Sequence, residues 1–109
     1  MSQFDVHRNT GRHAALIPFV VVVQSAVFDE RRRRVVVPLV ASDLAQQQVS
    51  LPASRVTPVF SVEGREVILN PLEIVSVAID ALGPCVGSLA AEGDAIVAAL
   101  EEVFSRAWG

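Results

Sequence analysis

Residues 15–25 read Ala-Leu-Ile-Pro-Phe-Val-Val-Val-Val-Gln-Ser. Four consecutive valines after a phenylalanine favour the extended backbone, where a β-branched side chain keeps its preferred rotamer and packs against a pleated surface. The nearly unbroken apolar character predicts a strand buried on both faces. Pro18 inside it predicts an edge or a bulge. The apolar run around this strand, Ala14 to Val23, holds ten residues and that proline, whereas a membrane-spanning helix needs about 20.

Working outward, Gln3 to Arg8 alternates, with Phe4 and Val6 on one face and Asp5 and His7 on the other, as in a half-buried strand. Asn9-Thr10-Gly11-Arg12 supplies turn chemistry before residue 15. Asp29 to Arg34 is a charged link, and Val35 to Val40 is again β-rich, with Pro38 marking a bend. Ser42 is a cap for a short helix through Gln48. Arg55 to Val62 and Glu66 to Leu69 flank Glu63-Gly64-Arg65 and read as a hairpin. Ile74 to Ile79 gives one more strand, and Gly83-Pro84 and Gly87 break the pattern. Asp94 then caps a long helix, in which Ile96, Val97, Leu100, Val103, Phe104 and Ala107 form one apolar stripe. The expected fold is mainly β with a C-terminal α-helix.

A chain of 109 residues fits one domain, 1–109, with one core. The hydrophobic share is 51%, above the roughly 45–50% of ordinary soluble chains, so disorder is excluded and a buried subunit interface is suggested. The N-terminus has no basic segment leading into an apolar stretch, which points to the cytoplasm and no membrane. All nine basic residues are arginine; residues 1–55 carry seven against four acids, and residues 56–109 carry two against eight. The net charge of −3 disfavours general polyanion binding.

His7 and His13 flank the turn, match no compact zinc spacing, and read as exposed residues. The single cysteine, Cys85, is far off in sequence and reads as packing, so no metal is expected. His7, Arg8, Arg12 and His13 are close enough in a hairpin for ribonuclease chemistry, since arginine stabilises phosphate charge and histidine exchanges protons. The same residues also suit a solvated loop. Arg31, Arg32, Arg33 and Arg34 form the densest charge cluster, which either solvates a loop or docks an acidic partner through bidentate forks. Trp108, after the terminal helix, either folds back onto the core or presents an aromatic anchor to a partner.

Gln3-Phe4, Val23-Gln24-Ser25, Arg33-Arg34-Val35-Val36-Val37-Pro38-Leu39, Pro58-Val59 and Trp108-Gly109 occur in an order and spacing that resemble the CcdB family of bacterial toxins over essentially the whole chain. The resemblance implies a small SH3-like barrel or antiparallel sheet of the CcdB, Kid and MazF type, assembled as a homodimer. It implies a toxin of a type II toxin-antitoxin system, of the plasmid-maintenance kind also found on chromosomes. Such a toxin binds the GyrA component of DNA gyrase, traps the cleaved DNA complex without being an enzyme, and meets DNA indirectly. Its cognate antitoxin is acidic and CcdA-like, and the resemblance implies no cofactor or metal.

By position, the resemblance assigns gyrase binding to Trp108, Gly109, Phe104, Ser105, Val27 and Phe28, with Gln24 and Ser25 holding the loop. Charge assigns antitoxin binding to Arg8, Arg12, Arg31, Arg32, Arg33 and Arg34. The chain departs from the family pattern by closing on Gly109 without a following isoleucine and by a longer final helix. The alternatives are an endoribonuclease toxin of the MazF or Kid type and a non-toxic relative that keeps antitoxin binding.

Overall fold

The valine-rich run becomes β2 (Phe19–Val22), which lies between β1 (Asp5–Arg8) and β3 (Arg33–Ala41) in an antiparallel sheet. Beyond them come α1 (Ser42–Gln48), β4 (Val59–Val62), β5 (Arg65–Leu69), β6 (Val75–Ala78), β7 (Cys85–Ser88) and α2 (Gly93–Ser105). The protein is seen in a computed structural model that describes residues 2–28, 30–48 and 56–105. The strands run in the order β4-β5-β3-β2-β1-β7, with β6 paired to β3 alongside β5. The sheet curves into a half-barrel with one long C-terminal helix, the fold expected from the sequence.

β3 is the spine because it serves three partners. Phe19 to Val22 pair with Leu39 to Val36 on one side, while Leu39 to Ala41 pair with β5 and Arg33 to Val36 with β6. Pro38 sits where β3 changes from β6 to β5. Its carbonyl oxygen accepts from the Asn70 N–H at 3.0 Å, so its missing N–H falls at the gap between those two strands, where no ladder bond is lost. Pro18, by contrast, precedes β2 and is buried, with its carbonyl accepting from Asn9 N–H at 2.9 Å.

Alternation along β2 and β3 sorts their side chains. Phe19, Val21, Val37 and Leu39 join Val6, Phe60, Val62, Val67 and Leu69 under Leu89, Ile96 and Ala99 in the main core. Val40 and Ile68 point the other way and pack with Ala45 of α1, flanked by Leu16 and Ile17. Each such aliphatic side chain contributes about 1.5–3 kcal/mol when fully buried.

The β4–β5 connection is a two-residue turn with positive φ at Glu63 (52°) and Gly64 (75°), the arrangement whose twist matches a right-handed hairpin. Arg65 therefore belongs to β5 rather than to the connection. β7 departs from expectation: the glycines and proline around it read as breakers, yet Cys85 to Ser88 pair with β1 at the sheet edge. α2 begins at Gly93 after a 3₁₀ turn at Ala90–Glu92, so Asp94 lies inside the first turn rather than at the cap. The buried face of α2 is also rotated from the expected stripe. Ile96 and Ala99 are fully buried, whereas Val97 and Phe104 are exposed at 40% and 63%.

Candidate active site

The face of the sheet turned away from α2 carries a groove of about 250 Å³. Val20, Val36 and Pro38 form its floor, Val75 and Val77 of β6 one wall, and the 9–17 loop its lip, where Arg12 and His13 sit. An apolar floor beside a cationic lip suits a ligand that joins flat, weakly polar rings to phosphates.

Asn9 gives the lip its shape. Its Nδ2 donates to the Ile17 carbonyl at 2.7 Å and its Oδ1 accepts from Gly11 N–H at 3.0 Å. Inside this clasp, Ala14 N–H donates to Gly11 O at 3.3 Å and Ile17 N–H to His13 O at 2.8 Å. The loop is thus internally bonded while the Arg12 and His13 side chains stay exposed, with no hydrogen-bond or ion-pair partner among the described residues. Asn9 is legible as a turn residue from the sequence, and its reach across the loop to Ile17 is not. At the far end, Gly83 lies so close to β1 that a Cβ would collide with the Arg8 carbonyl oxygen, which no side chain tolerates without backbone movement.

The four residues considered for ribonuclease chemistry separate into two pairs. His7 is only 4% exposed, against the expectation of an exposed histidine, because β1 turns it inward between β2 and β7, and its Nδ1 lies 2.9 Å from the Gly83 carbonyl oxygen. Arg8 borders the groove, but its Nη2 donates to Glu63 Oε1 at 2.8 Å and its guanidinium lies 5.8 Å from the Phe19 ring centroid. Arg12 and His13 remain available to a ligand.

The arginine tetrad is not one surface. Arg31 and Arg32 are exposed. Arg33 is tied to Ser76, through Nε to Oγ at 2.9 Å and through Nη2 to the carbonyl at 2.7 Å. Arg34 is 3% exposed and donates through Nη1 to the carbonyls of Arg31 and Arg33. Its assignment to antitoxin binding is therefore corrected: strand alternation turns it inward, where it braces the link.

The model of the CcdB protein family matches residues 3–105. The chain belongs to the CcdB family. No curated protein matches it in sequence. A mycobacterial endoribonuclease solved in complex with its cognate antitoxin superimposes on this CcdB-family chain with a TM-score of 0.75 at 16% identity, covering 100% of this chain and 99% of that one. At that identity the likeness is one of fold. The expectation of a gyrase-poisoning, non-enzymatic toxin, which rested on the order and spacing of sequence blocks, is corrected by this match: over its whole length the chain shares the fold of an endoribonuclease.

The residues assigned to gyrase are only partly described. Trp108 and Gly109 lie outside the described residues, as does the Ser105 side chain. Phe104 is exposed, and Val27 (80%) and Phe28 (48%) project from a 3₁₀ turn at Ala26–Phe28. That turn is braced as the family resemblance implied. Gln24 Nε2 donates to the carbonyls of Phe28 and Arg33 at 3.2 and 3.3 Å, and Ser25 Oγ accepts from Val27 N–H at 3.3 Å. No helix among the described residues is long and apolar enough to cross a membrane.

Proposed function

We propose that this chain is the toxin of a toxin–antitoxin pair and that it cuts single-stranded RNA, with Arg12 and His13 at the reacting centre. The observation that carries this reading is the groove itself: two uncommitted polar side chains on its lip, above a floor of valine and proline. An unstacked base can lie on that floor, which a base held in a duplex cannot do.

The chemistry follows from the two residues. His13 takes the proton of a ribose 2′-hydroxyl, the oxygen attacks the adjacent phosphorus, and the 5′-oxygen leaves with a proton from solvent. Arg12 places its fork on the non-bridging phosphate oxygens, where negative charge grows in the transition state. The products are a 2′,3′-cyclic phosphate and a 5′-hydroxyl end. The endoribonuclease with the matching fold is bound by its antitoxin, which supports an antitoxin for this chain also. An acidic, disordered segment suits the exposed guanidinium groups of Arg12, Arg31 and Arg32. The working form is a cytoplasmic homodimer of this single domain.

Incubating the purified protein with cellular RNA tests the reading. Fragments that accept phosphate at a free 5′-hydroxyl are expected. Intact RNA from a preparation that arrests growth when expressed would rule the reaction out.

A further inference from the structure

We propose that Asp5, His7 and Cys85 form a binding site for a borderline-soft divalent cation of the zinc type, at the junction of β1 with the edge strand β7. A ring nitrogen of His7, a carboxylate oxygen of Asp5 and the Cys85 Sγ all lie within 4.8 Å of one another. The sequence separates Cys85 from the other two by a whole sheet; the pairing of β1 with β7 brings them together.

The pairing is irregular at the point that matters. Val6 stands opposite Gly87 and His7 opposite Cys85, so the register slips by one residue and Val86 has no partner on β1. An unbroken antiparallel ladder would have placed Val86 opposite His7. The bulge instead sends Val86 toward the main core and delivers the thiol to the histidine.

The state of the imidazole is an independent indication. A carbonyl oxygen can only accept, so Nδ1, 2.9 Å from Gly83 O, carries the ring proton. In the neutral ring Nε2 is then a lone pair, buried and without a hydrogen-bond partner among the described residues. A buried acceptor with nothing to accept costs about 1–3 kcal/mol. A metal ion satisfies it, and a backbone carbonyl behind the opposite nitrogen is the arrangement that fixes the tautomer of metal-binding histidines.

The other two ligands can reach. In a tetrahedral shell, bond lengths of 2.0–2.3 Å put ligand atoms roughly 3.5 Å apart, so closure requires about 1 Å. Cys85 is exposed, and among the described residues its Sγ makes one long contact, to Gly87 O at 3.5 Å. Asp5 is anchored by accepting from Ser2 N–H at 2.8 Å through Oδ2, which leaves its other oxygen. On binding, the Cys85 thiol proton passes to solvent and the thiolate bonds to the metal. Three protein ligands leave a fourth position for water. The ion clips the sheet's edge strand to β1, and through the His7–Gly83 contact it steadies the segment just after the groove residues Ala81 and Leu82.

Titrating the chelator-treated, full-length protein with zinc alone, against a chromophoric chelator, is expected to show one ion per chain, with affinity falling at least 10-fold in Cys85→Ser and in Asp5→Asn. Cobalt in place of zinc is expected to give a thiolate-to-metal charge-transfer band that Cys85→Ser abolishes. His7→Ala is secondary, because a buried site can fail to fold; the two accessible ligands decide. Zinc bound as tightly by Cys85→Ser as by the native chain, or a cobalt adduct without the sulfur band, would overturn the site.

Discussion

Asn9 Nδ2 donates to the carbonyl oxygen of Ile17 across eight residues at 2.7 Å. One amide therefore fixes the width of the loop that presents Arg12 and His13, and its other half pins Gly11. Preorganisation of this kind matters to catalysis, since a reacting group misplaced by about 1 Å can lose 100-fold in rate.

Asn9→Ala removes both bonds and leaves the half-buried Ile17 carbonyl without its donor. The expected loss is about 1–3 kcal/mol of stability, read by urea unfolding, with RNA cleavage falling by roughly 10-fold or more in protein that is still folded. Asn9→Asp is expected to keep the Gly11 bond and lose the one to Ile17, and so to fall in between.

Gly83→Ala tests the close approach at the far end of the groove. The new methyl would meet backbone rather than a movable side chain. Destabilisation of about 1–3 kcal/mol is expected from the forced shift. Wild-type stability in this variant would mean that Gly83 docks less tightly against the Arg8 carbonyl than the structure has it.

Arg8 and Glu63 form a short ion pair, but both side chains are nearly half exposed. Solvent screening keeps such pairs below about 1 kcal/mol. Glu63→Gln should therefore unfold within that margin of the native protein in denaturant titration, even though it removes the carboxylate that engages Arg8.

Ile96→Ala and Phe104→Ala separate the two faces of α2. The first empties a fully buried position and should cost about 2–5 kcal/mol. The second trims an exposed ring and should stay within about 0.5 kcal/mol. Equal losses would restore the stripe expected from periodicity.

That helix shows where the sequence is legible. Its existence follows from an apolar repeat, but the repeat admits Val97 and Phe104 to the stripe because periodicity locates a wide apolar arc, while the core fills only part of it. Valine runs make β2 and β3 readable, and Glu63-Gly64 makes the hairpin readable. β7 is hidden because Gly83, Pro84 and Gly87 carry breaker chemistry, whereas an edge strand tolerates them. His7 reads as exposed for a related reason: alternation places it opposite Val6, and its contact with the Gly83 carbonyl, just before β7, is one that local pattern does not reveal. The lip residues Arg12 and His13 are visible as chemistry. Their position on the lip of a groove needs the wall supplied by β6, some 60 residues away.

The proposed cleavage of RNA in this groove turns on His13, and the rate of RNA cleavage by full-length His13→Ala, beside the native chain and Arg12→Ala, tests it most directly. Loss of a proton-transfer group is expected to slow the reaction by about 10²–10⁴-fold, with far-UV spectrum and melting unchanged because both side chains are exposed. RNA cut at the native rate by His13→Ala would place the reacting centre elsewhere and contradict the proposed role of the lip.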